Sequence, residues 1–183
     1  MDLYNDYSKV NIKISFVERL FTEAVNNASE IRKLTNDTTI DQEAGDLKNE
    51  QYIHIIFKFI NFFLHLTDRH AYGKMSEEQR SILMDELEKT CITLAVKRVC
   101  PSWPKNEKEK FKDECLKILN EDTDEFSKYK NIFGLGSLSY NFGKIIAKLA
   151  NKEDDALYIL ATNELISKRN LDIGSFINDI INL

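Results

Sequence analysis

Between Tyr52 and Ala71 the charged and most other polar side chains fall on one side of a helix, and no other stretch limits the fold so strongly. At about 100° per residue, and with His54 set at zero, Glu50, Gln51, Lys58, Asn61, His65, Asp68, Arg69 and Tyr72 all lie within about 60° of it. Nearly everything else is apolar: Ile53, Ile55, Ile56, Phe59, Ile60, Phe63, Leu64, Leu66 and Ala71, with Phe57 and Phe62 at the seam. An apolar arc over about two-thirds of the circumference, with a narrow polar wedge, reverses the proportions of an ordinary surface helix. The pattern predicts a central helix wrapped on about three sides by others.

The remaining composition agrees with a helical chain. Two prolines and six glycines in 183 residues are too few breakers for a many-turned β fold. An apolar fraction of 43% and a charged fraction of 30% are those of a soluble globular domain. Lys58 interrupts the longest apolar run, which falls short of the roughly 18 uncharged residues a membrane span needs. The net charge of −5 supplies no basic excess to displace counterions from nucleic acid. The lysine-rich stretch 105–117 is interleaved with acids and reads as a solvated face. Three cysteines, Cys91, Cys100 and Cys115, fit a reduced cytoplasmic protein better than a disulfide framework. The first ten residues are polar and acidic, with no signal-peptide pattern.

Taken in order, the chain predicts helices throughout. The first, from about Tyr7 to Leu34, carries a stripe of Val10, Ile14, Val17, Phe21, Ala24, Ala28 and Ile31 at alternating spacings of four and three. Thr35–Ile40 reads as a loop, and Asp41 or Asp46, with the earlier start preferred, as the cap of the second helix, which Gly73 stops. Ser76 and Gln79 stand at capping-box spacing. The third helix, to Cys100, is expected to bury Ile82, Leu83, Leu87, Cys91, Leu94 and Val99, and Pro101 ends it. Pro104 opens a fourth helix, to about Asn120, and a short one is expected from Thr123 to Phe133. The helix Leu138–Ala150 has a large stripe (Leu138, Phe142, Ile145, Ile146, Leu149) and a small one (Ser139, Gly143, Ala147, Ala150) that invites close packing. Asn151 or Asp154 suits the cap of the next helix, to about Arg169. The last helix starts at Asp172, with Ile173, Phe176, Ile177, Ile180 and Ile181 on one face.

No convergent catalytic set emerges. His54 and His65 share a face but lie eleven residues apart, roughly 16 Å along the axis, too far for one metal ion. His70 lies on the apolar arc and reads as a partly buried structural histidine. His65, Asp68 and Arg69 are neighbours on one helix face, and Asp68 there could raise the imidazole pKa for acid–base work. The simpler reading of these three is a polar wedge facing solvent; a third is that the wedge faces a partner or a cleft. Gly134-Leu-Gly136 with Gly143-Lys144 has the wrong spacing for a phosphate loop. Asp122-Thr-Asp124 begins like a calcium loop but lacks its third ligand and central glycine.

The expected object is therefore a single all-α domain over residues 1–183, a bundle of about seven or eight helices around a mostly buried second helix. The expected role is non-catalytic: a protein-interaction or self-associating module, a homodimer included, without cofactor or metal and without nucleic-acid or membrane binding. Its candidate ligand or partner contacts are His54, Lys58, Asn61, His65, Asp68 and Arg69. The rival role is a small-molecule binder or enzyme that uses the His65, Asp68 and Arg69 end of the strip.

Overall fold

The computed structural model describes residues 3–37, 49–168 and 172–182. Among these are seven helices and no strand: α1 (Leu3–Asp37), α2 (Asn49–Ala71), α3 (Glu77–Val99), α4 (Lys105–Ser127), α5 (Leu138–Leu149), α6 (Ala156–Lys168) and α7 (Ile173–Ile181). The fold is an all-α multi-helix bundle. The chain groups into two compact units. Unit one comprises residues 1–22, 63–121 and 171–183, and unit two residues 23–62 and 122–170. Three helices, α1, α2 and α4, contribute to both.

Unit one is built on the first half of α1, the end of α2, α3, most of α4 and α7. The Phe16 ring of α1 stacks on Phe176 of α7, with centroids 3.8 Å apart. Ile173, Ile177 and Ile180 are buried with it. Thus α7, with every third or fourth residue apolar, docks by that face. The Asp172 carboxylate caps it by accepting from the Ser175 amide at 2.9 Å. The Ser76–Gln79 capping box starts α3 as its spacing predicts: the Gln79 amide donates to Ser76 Oγ and the Ser76 amide to Gln79 Oε1. Gly73, at φ +77°, ends α2 in a left-handed turn that a side chain would strain.

Unit two is built on the second half of α1, the first half of α2, the end of α4, α5 and α6. Its core is aromatic. Phe142 of α5 meets Phe59 edge-on at 5.1 Å, Phe62 at 4.4 Å and Phe126 at 6.0 Å. The small stripe of α5 does what its composition predicts. Ser139, Gly143 and Ala147 are fully buried. A Cβ added at Gly143 would stand 2.9 Å from the Ile159 carbonyl oxygen of α6, so only glycine lets the two backbones come this close.

Several expectations fail for identifiable reasons. Thr35 to Asp37 are helical rather than loop. The Thr35 hydroxyl donates to the Ile31 carbonyl at 2.7 Å and meets the Tyr158 hydroxyl at 2.7 Å, which holds the last turn of α1 in place. The expected loop beyond it and the Asp41 or Asp46 cap fall outside the described residues. α4 runs unbroken to Ser127, because Asp122 is buried and bonded rather than in a loop. The cap of α6 is Asp155, which accepts from the Tyr158 amide at 3.0 Å, and not Asn151 or Asp154. His70 is exposed, being next to last in α2. Of the apolar stripes, Val10 and Ile14 on α1 are each 50% exposed and Ile82 on α3 is 55% exposed. Helical spacing places side chains on a face; burial also needs a neighbour to cover that face.

Candidate functional site: a sealed polar strip and an open apolar groove

On α2 the seven residues Phe59 to His65 are all buried in succession. Seven positions sweep the full circumference of a helix, so even the polar wedge is covered there. Asn61 is only 2% exposed and His65 only 6%. A solvent-facing wedge is therefore wrong for this part of the strip.

In unit two the strip closes on one carboxylate. Asp122 of α4 accepts from Lys58 Nζ at 2.5 Å on one oxygen and from Asn61 Nδ2 at 2.6 Å on the other. Both oxygens are thus held by charged or amide donors in a site with little water, where such bonds are strong. Asn61 Oδ1 is buried without a partner among the described residues. His54, one turn earlier, is half-buried and joins no such cluster among the described residues.

In unit one the strip closes on its own helix and on α3. Arg69 Nε donates to His65 Nε2 at 2.8 Å, which makes that ring nitrogen an acceptor and the imidazole neutral. Burial first, and the Arg69 guanidinium second, push the His65 pKa down to about 4; Asp68 pulls weakly the other way. The expected rise caused by Asp68 is thus reversed. Asp68 is instead engaged by Arg80 of α3, whose Nη1 donates at 2.5 Å while Nη2 donates to Glu77 at 2.7 Å. Glu88 of α3 is pushed up to about 7 by burial, with help from Asp85 and Asp68. The strip can therefore stabilise and position helices, but a base held near pKa 4 is poorly matched to proton transfer at neutral pH.

The three thiols are free and buried. Burial raises the pKa of each, that of Cys115 to about 12, so none is a ready thiolate nucleophile. Among the described residues no group of three His, Cys, Asp or Glu side chains could hold a metal ion. No helix among them is long and apolar enough to cross a membrane.

Unit one also carries an apolar groove of about 240 Å³. Leu83 of α3 and Ile180 of α7 are buried at it, Ile82 and Ile181 are exposed beside them, and Met75 comes from the α2–α3 turn. Lys9 and Lys13 of α1 and Lys74 of that turn make its rim. Lys13 pairs with Glu86. Lys9 and Lys74 have no ion-pair partner among the described residues. The exposed Val10 and Ile14 follow Lys9 and Lys13 in sequence.

No family model, curated protein or solved structure gives a significant match to this chain.

Asp122, Arg80 and the lysine rim were not legible in the sequence. In sequence, Asp122 offers only a poor match to a calcium loop, and Arg80 lies among the polar residues that open α3. Both matter through partners 64 and 12 residues away, and no local pattern encodes such a pairing.

Proposed function

We propose that this protein is a non-catalytic helical module of a reducing, cytoplasmic compartment that works by binding another protein surface, a second copy of itself included. The observation that carries this reading is the unit-one groove, where large apolar side chains remain open to solvent beside a lysine rim. Exposed apolar patches on otherwise polar surfaces are characteristic of interaction sites. The rival role loses support because Lys58, Asn61, His65, Asp68 and Arg69 already bond within the chain.

A photo-crosslinking residue at position 82 tests the reading. A covalent adduct to protein, formed by the purified chain with itself or in an extract of the producing cell, is the expected result. Absence of any protein adduct in both settings, with a monomer by sedimentation, removes it.

A further inference from the structure

The groove and α6 are chemical complements. The groove offers apolar walls and, in Lys9 and Lys74, ammonium groups without an ion-pair partner among the described residues. α6 offers the converse: Leu157 is 79% exposed and Leu160 47%. Three apart on a helix, they are neighbours on one face and make a double knob. Immediately before them stand Glu153 and Asp154, both exposed and neither in an ion pair among the described residues. Leu157 stands bare at the start of a helix whose opposite face (Tyr158, Ile159, Thr162, Ile166) is already buried.

Resting on the reading above, we propose that the groove's occupant is a second copy of this chain, with Leu157 and Leu160 of α6 seated between Ile82 and Ile181, and Glu153 and Asp154 facing Lys9 and Lys74. Carboxylates meeting ammonium groups orient the ridge in the groove and the leucines supply the buried area. The contact is heterologous, because the two surfaces differ. Each copy carries one of each, so copies associate in a ring or continue head to tail unless both contacts close within one dimer.

The asymmetry supplies the test. A groove variant, K9E/K74E, keeps its ridge. A ridge variant, L157S/L160S, keeps its groove. All four side chains lie at or near the surface, so both variants fold, which thermal melting by circular dichroism checks. Sedimentation velocity over the micromolar range is expected to show wild type associating, less so as salt rises. Each variant alone is expected to sediment as a monomer, with affinity at least about 100-fold weaker for the ridge variant, since two leucines stay in water. Mixed in equal amounts, the two variants are expected to regain one contact and form a complex of two chains and no more. Adding E153K/D154K to K9E/K74E in trans is expected to restore binding by swapping both charges.

If wild type associates and the ridge variant does so equally well, the proposal is overturned, and the adduct at position 82 decides whether the groove binds protein at all. A wild type that stays monomeric overturns it as well; the adduct at position 82 then decides the broader reading separately. Binding to phosphatidylserine vesicles that K9E/K74E abolishes, without self-association, overturns it in favour of a lipid surface.

Discussion

The polar strip of α2 and the apolar groove at α1, α3 and α7 invert the usual arrangement of a small domain. The strip puts an amide and an imidazole out of the water and half-buries a carboxylate. The groove leaves isoleucines in it. Buried polar groups must find partners to be tolerated, and here they find them in Asp122, Arg69 and Arg80. Exposed isoleucines need no partner for the chain to fold, so they are free to meet one afterwards. On the proposed function, the difference separates what holds the protein together from where it binds: substitutions in the strip should alter stability, and those in the groove should alter association.

The largest expected effect lies in the strip. Asp122→Ala leaves Lys58 and Asn61 without their shared acceptor and should destabilise the protein by about 3 kcal/mol in urea unfolding, the scale for removing one member of a buried pair. A change under about 0.5 kcal/mol, the level of an ordinary surface substitution, would mean that water reaches the cluster. Asp68→Asn should have a smaller effect, about 1 kcal/mol, because the pair with Arg80 is partly exposed and Arg80 keeps Glu77.

Protonation sharpens the contrast within unit one. Unfolded, His65 takes a proton near 6.5; folded, only near 4. The unfolded state therefore binds more protons in that window, and His65 makes stability fall as pH drops from about 6.5 to about 4. Glu88 acts in the opposite sense. Folded, it holds its proton to about 7; unfolded, it releases it near 4.5. Its contribution favours the folded state at low pH and is lost as pH rises through about 7. Two opposed slopes in overlapping windows flatten the profile. His65→Gln should make stability fall more steeply with rising pH, and Glu88→Gln should make it rise more steeply. Thermal melts from pH 4 to 8 would check both, and parallel profiles for all three proteins would refute the assignment.

The smallest effect on stability belongs to the groove. Ile82→Gln should leave the unfolding midpoint within the spread of surface substitutions, about 0.5 kcal/mol, and yet lower self-association in the ultracentrifuge. A large loss of stability would show that Ile82 belongs to the core and that the groove is a packing defect.

The amino-acid sequence by itself determined the helical class, most helix ends, the buried character of α2 and the close approach along the small face of α5. These follow from local rules: periodicity, caps, breakers and side-chain size act within a few residues and need no knowledge of the partner helix. Tertiary structure alone decided that Lys58 and Asn61 share Asp122, that Asp68 turns to Arg80, that the His65 pKa falls rather than rises, and that Val10, Ile14 and Ile82 stay bare. Each depends on which helix stands opposite, and a periodic pattern names the face of a helix without naming what covers it.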